Sequence, residues 1–549
     1  MGPRAPQGWE AVASGAGTWW SLAPVTPPPP PPPHAAPPEE RRVLAVLGAG
    51  LTLVGAAVRL PGLGASFYGD EGFSLLRDSA QLVTATEDRF RPLFFSILYL
   101  WKQLGFRGEL GLRALPFAFG VLQVPVAFRL GLLVGGVELA TSFGVLVALS
   151  PLLIEFSQEL RMYSLVPLVA LLQAWAFVSA ATRATSGRST RLAWLAFVAA
   201  GVAGVYAHVH YWFIIAGFGV AVLRRRRELP LRQGITALAA IVAVYLPDVP
   251  NLLRFQREAA GAPHLVATDL PSALPKLVTA FGVGFNYFVL PHMGIERTIR
   301  WSLLGPNALL AVLLAVPAAL VGWQIVQLHR ARPLPPALWL SYELFVVPTL
   351  VSFAAVLALK RDFIHPKYMV FSAPFFLIGV AGGYTAIRSR AARIAAGLTG
   401  LTVYAVAIVH FNQPRDYGRR EDWRAAALYL RAHLGDGDVL LWPGPSGAPE
   451  QSPPHEPPQS LWEYYAPDLA ARTHVMVLPR PGATVDDVTP IVARAVAGKQ
   501  HVYYLWSEIL ANVDDPSDVL VTAARRQLVG EQQVRFNPRL VVYSWNAAP

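Results

Sequence analysis

Long apolar segments follow one another along most of this chain, beginning shortly after a proline-rich stretch near its N-terminus. Because a helix needs roughly 20 apolar residues to cross the hydrocarbon core of a bilayer, these segments predict about eleven membrane-crossing helices. The predicted spans are 43–60, 111–133, 137–154, 163–182, 191–207, 210–223, 233–247, 301–327, 335–359, 368–387 and 394–410. The sequence therefore indicates a polytopic α-helical membrane protein.

The composition supports this interpretation and excludes several classes of function. Of the 549 residues, 54% are hydrophobic and only 15% are charged, whereas charged residues make up about a quarter of an ordinary soluble domain. The net charge of +11 does not indicate nucleic-acid binding, because the arginines lie in short clusters between apolar segments, where they orient membrane proteins. The absence of cysteine excludes disulfides, thiolate metal sites and cysteine nucleophiles.

The basic clusters predict which side of the membrane each loop faces. One apolar stretch, Pro92 to Gly105, is short and carries Lys102, so it is either a span or a helix that lies flat in the interface. Only the flat arrangement places all the short basic loops on one side, the cytoplasm, as the positive-inside rule requires. Those loops contain Arg41, Arg42, Arg183, Arg188, Arg191, Arg224 to Arg227, Arg232, Arg330, Arg332, Arg388, Arg390 and Arg393. The opposite side then receives every candidate polar cluster, a long loop from Pro247 to Arg300 and the C-terminus.

The chain divides by composition into three parts. Residues 1–41 include an unbroken proline run, Pro27 to Pro33, and are expected to form a disordered cytoplasmic tail. Residues 42–410 hold the apolar segments of the bundle. From 411 to 549, strand-like segments such as 438–442, 474–478 and 501–506 alternate with helix-like ones such as 421–434 and 485–497, which predicts a small extracytoplasmic α/β domain with an exposed loop over 443–459.

An adjacent acid pair, Asp70 and Glu71, follows the first apolar segment. The structural interpretation makes Asp70 the cap of a helix that runs to about Leu82, with Glu71 in its first turn. The functional interpretation makes one carboxylate a general base that removes a proton from an acceptor hydroxyl. Because neighbouring side chains diverge on a helix or a strand, the two acids are expected to have different roles.

A second polar cluster lies between the third and fourth apolar segments. If this segment is helical, Gln158 and Arg161 share one face and Glu159 and Tyr163 share another. Arg161 is either an arginine that reaches the interface and pairs with a nearby acid, or a planar donor for two phosphate oxygens. Its predicted position on the extracytoplasmic side, where basic residues are disfavoured, keeps the second possibility open.

Further cationic and imidazole side chains are predicted on the side of the acid pair. They are Arg91, Arg113, His208, His210, Lys360, Arg361, His365 and Lys367. Each one alone is explained as an interface anchor or a hydrogen-bonded surface group. Together they concentrate donors that suit a phosphate leaving group. Two histidines at this spacing are a weak metal signal, so no metal ligands are predicted.

The order of these motifs resembles that of the GT-C class of membrane glycosyltransferases, and more narrowly the protein mannosyltransferase-like group, glycosyltransferase family 39 and its relatives. The segments that carry the resemblance are the acid pair, Arg91-Pro92-Leu93-Phe94-Phe95, Gly111-Leu112-Arg113 and Ser157-Gln158-Glu159-Leu160-Arg161-Met162-Tyr163. It covers roughly residues 43–410, with a weaker match at Asp422-Trp423-Arg424. Relatives often have histidine or a small polar residue where this chain has Arg91.

The resemblance implies a transferase that moves a sugar, with inversion, from a polyprenyl phosphate to a hydroxyl acceptor outside the cytoplasm. Asp70 is implied as the catalytic base and Glu71 as a supporting or acceptor-positioning residue. The remaining implied roles are donor-phosphate binding by Arg161, Arg91 and Lys367, and substrate positioning by Gln158, Glu159, Tyr163, Arg113, His208 and His210. Because family members differ in their use of metal, no cofactor is assigned. The resemblance is compatible with the use of a divalent metal. The expected partners are the lipid-linked donor, the bilayer of the inner cell membrane and an acceptor on a lipid, glycan or protein.

Two other classes of function stay open. A transporter or flippase of a lipid-linked sugar also has many spans and cationic pockets, although such proteins usually place polar groups near the middle of the membrane. A non-catalytic envelope scaffold would use its C-terminal domain to bind a partner or glycan. In this chain the notable charges lie at helix ends on one side, which favours the transferase.

Overall fold

A computed structural model describes most of the chain. The described residues are 37–75, 92–258, 270–284, 308–330, 334–359, 364–412, 421–444, 457–470, 473–477, 484–507, 518–537 and 540–547. The predicted N-terminal tail, Arg91, Lys360 and Arg361 lie outside them.

Helices form nearly all of the described structure up to residue 412. They are α1 (Pro38–Ala57), α2 (Gly72–Leu75), α3 (Leu93–Gln103), α4 (Gly108–Leu149), α5 (Pro151–Ser157), α6 (Leu165–Thr185), α7 (Arg191–Ala207), α8 (Tyr211–Arg224), α9 (Leu231–Tyr245), α10 (Val249–Glu258), α11 (Leu270–Val283), α12 (Ala308–Arg330), α13 (Pro336–Ser341), α14 (Val347–Leu359), α15 (Ala373–Thr385) and α16 (Arg390–Asn412). A π-helical turn, Tyr342–Val346, joins α13 to α14.

Five helical segments among the described residues are long and apolar enough to cross a membrane. They are Gly108–Leu149, Leu165–Thr185, Leu231–Arg254, Pro336–Ala358 and Arg390–Val409. This agrees with the predicted α-helical membrane fold, while the count of about eleven crossings stays a prediction. Helix α6 lies at the centre, because it packs against both α4 and α7 and buries residues around its whole circumference.

Helix α4 is broken at a pair of glycines. Gly135 has φ −155° and ψ 18°, and Gly136 has φ 78°, a left-handed conformation that glycine adopts without a steric penalty. The two halves fold back on each other so closely that a side-chain carbon on Gly131 would lie 2.6 Å from the Cα of Ala140. The break coincides with the predicted boundary between the spans 111–133 and 137–154.

The structure agrees with one expectation about the connections and differs from another. The stretch after Pro92 forms α3, whose eleven residues are too short to cross a hydrocarbon core about 30 Å thick, as expected for the flat arrangement and not for the span. The region from Pro247 to Arg300 is not simply a loop, because it contains α10 and the apolar helix α11. Helix α11 packs against α5 and α15. Tertiary contacts therefore stabilise a helix in a region where the sequence predicted a loop.

The described C-terminal residues form a five-stranded sheet with helices on both faces. Its elements are α17 (Trp423–His433), β1 (Val439–Gly444), α18 (Pro457–Tyr465), α19 (Pro467–Ala470), β2 (Thr473–Val477), α20 (Val485–Val496), β3 (His501–Ser507), α21 (Val519–Arg525), β4 (Leu528–Asn537) and β5 (Leu540–Ala547). The strand order is β2-β1-β3-β5-β4, with β2, β1 and β3 parallel and the other two pairs antiparallel. The middle of the predicted loop 443–459 lies outside the described residues, and its ends belong to β1 and α18.

The two faces of this sheet pack against different partners. Residues such as Leu440, Trp442 and Tyr503 belong to one continuous apolar core with α17, α18 and the helical bundle. Residues such as Leu441 and Tyr504, which alternate with them, pack with α20 and α21. The sheet is therefore joined through one face to the bundle.

Candidate active site

The acid pair lies in a tight turn that follows α1. Gly69, Asp70 and Glu71 form one turn of 3-10 helix, with Gly69 in the left-handed region at φ 49°. Tyr68, rather than Asp70, is the residue that caps this turn, and its backbone N–H donates to Oε2 of Glu71 over 3.0 Å. The turn directs the two carboxylates to different surroundings, as the divergence of neighbouring side chains predicted.

Glu71 is fully buried and held by Arg113. Nε of Arg113 donates to Oε1 over 2.8 Å and Nη2 donates to Oε2 over 2.5 Å. The backbone N–H of Leu160 adds a bond of 2.7 Å to Oε1. Both carboxylate oxygens thus accept hydrogen bonds from protein donors, and the Glu71 side chain has no exposed surface.

Arg113 also holds the loop that leads to the acid pair. Its guanidinium donates to the carbonyl oxygens of Leu63 over 3.0 Å and Ser66 over 3.0 Å, and to that of Ala65. The same guanidinium lies 4.8 Å from the ring centroid of Phe67. We call Glu71, Arg113 and the three carbonyl groups the inner clamp. Arg113, which was expected to position the substrate, is fully buried within this clamp.

Asp70 points to the opposite side and forms an ion pair with Lys367. Nζ of Lys367 lies 3.0 Å from Oδ2, and 36% of the Asp70 side chain is exposed. The charge of Lys367 holds the pKa of Asp70 well below its usual value, against the effect of burial, and the charge of Arg161 acts in the same direction. Burial lowers the pKa of Lys367, but the charge of and hydrogen bond to Asp70, together with Tyr368 and Tyr163, raise that pKa by more. Both groups are therefore ionised at neutral pH.

The turn between α5 and α6 brings Arg161 and Glu159 to this ion pair. Arg161 is buried, lies 5.7 Å from the ring centroid of Phe95 and forms a hydrogen bond with Tyr163. Burial, followed by repulsion from Asp70 and Glu71, raises the pKa of Glu159 to about 8. At neutral pH Glu159 is mostly protonated and uncharged. Lys367 and Arg161 then face the single charge of Asp70, which leaves an excess of positive charge.

An aromatic cluster continues from Lys367 across the bundle. The rings of His210 and Tyr368 are stacked, with centroids 5.0 Å apart and planes 4° apart. The His208 ring lies 5.0 Å from His210 and 6.1 Å from Tyr163. The structure therefore brings Tyr163, His208 and His210 together with the ion pair, as a contiguous wall of rings. Tyr368, which lines the same wall, was missed because a single tyrosine at a span boundary carries no distinctive signal.

Gln158 is buried away from this wall. Its Nε2 donates to the backbone carbonyl of Arg59 over 3.1 Å. Arg59 is itself fully buried and donates to Oγ of Ser157 and to the carbonyls of Gly55, Val147 and Ala148. Arg59 was not singled out from the sequence, although a basic residue at the outer end of the first predicted span was a usable signal. Gln158 and Arg59 thus join α1, α4 and α5.

Within the part of the chain that the structure describes, no group of three or more histidine, aspartate or glutamate side chains is placed to hold a metal ion. No residue is therefore assigned to a metal. The positive charge beside Asp70 comes from protein side chains.

Comparisons with known proteins give only distant likenesses. No family model and no curated protein sequence matches the chain. The structure of ArnT from Cupriavidus metallidurans bound to undecaprenyl phosphate is similar at 15% identity and TM-score 0.49, covering 91% of this chain and 97% of that one. An oligosaccharyltransferase from Archaeoglobus fulgidus in complex with zinc and sulfate is similar at 13% identity and TM-score 0.49, covering 89% and 71%. The mycobacterial arabinofuranosyltransferase AftD is similar at 15% and 0.44, covering 92% and 40%. Such low identities and scores leave the activity to be argued from the site itself.

Proposed function

We propose that this chain is a membrane glycosyltransferase of the GT-C class, which moves a hexose or pentose from a polyprenyl phosphate to a hydroxyl acceptor outside the cytoplasm. The observation that carries the proposal is the partly exposed Asp70 carboxylate in contact with Lys367, beside the buried cation Arg161. A transferase of this kind needs one base, a stabilised phosphate leaving group and close alignment of both.

The reaction is a single displacement at the anomeric carbon of the donor sugar. Asp70 takes the proton of the acceptor hydroxyl while the oxygen of that hydroxyl forms a bond to the anomeric carbon. The bond from that carbon to the phosphate oxygen breaks, and its electron pair stays on the phosphate. Lys367 and Arg161 bind the phosphate and stabilise the charge that develops there. Attack opposite the leaving group inverts the configuration of the sugar.

The contact between Lys367 and Asp70 links donor binding to the base. In the free protein Lys367 depresses the basicity of Asp70. A bound donor phosphate competes for the same ammonium group, so the carboxylate becomes a better proton acceptor when the donor is in place. Removal of the acceptor proton is therefore favoured when the donor is bound.

The remaining residues are proposed to shape the site around these groups. The stacked rings of His210 and Tyr368, with His208 and Tyr163, offer flat surfaces for a sugar ring. Glu159 in its protonated form can donate a hydrogen bond to a phosphate or sugar oxygen without adding negative charge. Arg91 keeps its expected role in phosphate binding as part of this proposal. We also propose that the site and the C-terminal domain lie outside the cytoplasm.

Purified protein given radiolabelled undecaprenyl-phosphate hexoses and pentoses with a mixture of acceptors tests the proposal. Release of undecaprenyl phosphate with the label on an acceptor marks the transferase. Movement of unchanged donor between the leaflets of a vesicle marks a flippase instead. If neither transfer nor movement is observed, the result favours a scaffold.

The variant Asp70→Asn assigns the chemistry. It is expected to lose about 10²- to 10⁴-fold in turnover, the usual contribution of a general base, while it still folds and binds the donor. Asp486→Asn is the matched control, because Asp486 is an exposed residue that pairs with Arg526 in the C-terminal domain. Near-normal turnover in Asp70→Asn removes Asp70 from the mechanism.

A further inference from the structure

The loop that carries Asp70 is held from outside the bundle as well as from inside. The hydroxyl of Tyr465, at the end of α18, accepts a hydrogen bond of 2.7 Å from the backbone N–H of Phe67. The same hydroxyl donates to Oε1 of Glu109 over 3.0 Å. The Tyr465 hydroxyl thus accepts one hydrogen bond from the loop and donates another to the first turn of α4.

Arg424, at the start of α17, makes a second connection to the same loop. Its backbone N–H donates to Oγ of Ser66 over 3.3 Å, and its Nη2 donates to the carbonyl of Gly64 over 3.4 Å. Its Nη1 lies 3.1 Å from Oε1 of Glu109, the oxygen that Tyr465 also contacts. We call Glu109, Arg424 and Tyr465 the outer clamp.

The start of α17 is in turn fixed to the sheet. The buried Glu421 accepts hydrogen bonds from Nε1 of Trp423 over 2.8 Å and from Oγ of Ser507, at the end of β3, over 2.7 Å. A continuous set of contacts therefore runs from β3 through α17 to the loop at Ser66. The placement of the loop depends on the C-terminal segment.

Phe67 is the residue on which the two clamps meet. The Arg113 guanidinium of the inner clamp lies 4.8 Å from its ring centroid. The Tyr464 ring meets it edge-on at 5.4 Å and the Tyr465 ring lies at 6.4 Å. Gly69, the left-handed residue between Phe67 and Asp70, gives the chain local freedom. The anchors on Phe67 and Glu71 therefore set where Asp70 lies.

We infer that Tyr465 is a positioning residue for the reaction: through the backbone of Phe67 it holds Asp70 in the orientation from which it accepts the acceptor proton. This rests on the proposed function. The inner clamp is fully buried, whereas 46% of the Arg424 side chain and 16% of the Glu109 side chain are exposed. A structural change in the C-terminal segment would therefore be transmitted to Asp70 through the outer clamp. Small displacements of a catalytic group have large effects on rate.

The variant Tyr465→Phe tests this inference, because it removes only the hydroxyl and keeps the ring against Phe67. Tyr464→Phe is the matched control: its ring packs on Phe67 from the neighbouring position, and its hydroxyl has no hydrogen bond to any residue in the described ranges. Hydrogen exchange of the backbone amides of residues 66–71 is measured together with donor turnover and thermal stability.

We expect Tyr465→Phe to speed exchange of the Phe67 amide at least tenfold and to lower kcat about tenfold. The KM for undecaprenyl-phosphate sugar and the apparent Tm should stay close to those of the unmodified protein, since the donor contacts and the ring packing are kept. Tyr464→Phe should match the unmodified protein in all four measurements. A general loss of structure would instead change the Tm and both kinetic constants.

Unchanged exchange at Phe67, or faster exchange with unchanged kcat, overturns the inference. If the unmodified protein does not turn over any of the labelled donors, the proposed function is wrong. That result is distinct from a failure of the inference, because it does not depend on any variant. The exchange arm needs no substrate and still decides whether the Tyr465 hydroxyl holds the loop.

Discussion

Two neighbouring acids in one sequence motif have unlike physical states in this protein. Glu71 is buried and accepts bonds from an arginine and two backbone N–H groups, whereas Asp70 is partly exposed and faces Lys367. The expectation of different roles followed from side-chain divergence alone. Which acid is accessible followed from the position of Arg113 and Lys367, which are distant in sequence from both.

Replacing Lys367 should move the acid limb of the pH profile. Because the charge of Lys367 lowers the pKa of Asp70, Asp70 loses activity as base only when the pH falls well below the usual carboxyl pKa of about 4. In Lys367→Met that pKa rises, so the loss begins at higher pH. The pH of half-maximal kcat/KM measures the change, and Lys367→Arg, which keeps the charge, should leave it in place. Identical limbs in Lys367→Met and the unmodified protein would contradict the assignment.

Glu159 should give the site an alkaline limit. Its pKa of about 8 means that it gains a negative charge as the pH rises through that value, while burial raises the pKa of Tyr163 to about 12 and Lys367 stays charged. The new charge repels a phosphate, and affinity for undecaprenyl phosphate should fall about tenfold between pH 7 and pH 9. In Glu159→Gln, which stays neutral, the affinity should be nearly constant. Titration of binding at both pH values is the measurement, and an equal fall in both proteins counts against Glu159.

At the level of elements, the loop after α1 is defined by what packs on it from either side. It has little regular structure of its own beyond the turn at Gly69–Glu71. Helix α4 supplies Arg113 and Glu109, and α17 and α18 supply Arg424 and Tyr465. A short irregular segment can hold a reactive group in one place only when rigid elements supply its contacts.

Breaking the inner clamp should destabilise the protein strongly. Removing one member of a buried ion pair leaves an uncompensated charge and typically costs about 3–5 kcal/mol, so Arg113→Met and Glu71→Gln should each lower the apparent Tm by several degrees. The double variant should lose less than the sum of the two losses, because no charge is left alone. Thermal unfolding followed by tryptophan fluorescence measures this.

The exposed pair of Arg393 and Glu138 provides the control for that experiment. Its side chains are 35% and 72% exposed and its atoms are 3.6 Å apart, and such pairs contribute about 0–1 kcal/mol. Arg393→Met should therefore shift the Tm little. Strict additivity of Arg113→Met and Glu71→Gln would show that the two side chains do not stabilise each other.

At the scale of the whole molecule, the ionisable groups divide between two ends of the bundle. The cluster of Asp70, Lys367 and Arg161 is joined to the C-terminal sheet through the loop after α1. A separate buried group, in which Nε of Arg224 lies 2.5 Å from Glu343, lies beside the π-helical turn. The arginine clusters of the sequence predict that the first group is extracytoplasmic and the second is cytoplasmic.

Single-cysteine labelling checks this sidedness, and the absence of native cysteine makes it clean. Gly64→Cys, in the loop that leads to Asp70 and beyond the first predicted span, and Ala493→Cys, on α20, should react with a membrane-impermeant maleimide added to intact cells, because both positions are exposed. Ser189→Cys, between α6 and α7, should react only after permeabilisation. Labelling of Gly64→Cys from the cytoplasmic side alone would leave the proposed transferase without an extracytoplasmic site.

The sequence by itself determined the elements that rest on local physics. Apolar length located most helices of the bundle, the gap between two apolar segments located the break in α4, and alternating segments located β1, β2 and β3. The predicted helices at 421–434 and 485–497 likewise coincide with α17 and α20. Each of these features depends on residues that are near one another in the chain, where side-chain type and spacing decide the backbone conformation.

The tertiary structure alone decided which side chains meet. The ion pair of Asp70 with Lys367 joins residues 297 positions apart, and the bond from Phe67 to Tyr465 joins residues 398 apart. No periodicity reaches over such distances, so the sequence supplied candidates without pairing them. Burial then set the state of each group: Glu71 became a support, Glu159 a mostly neutral acid and Asp70 an accessible carboxylate, because desolvation and neighbouring charge depend on three-dimensional position.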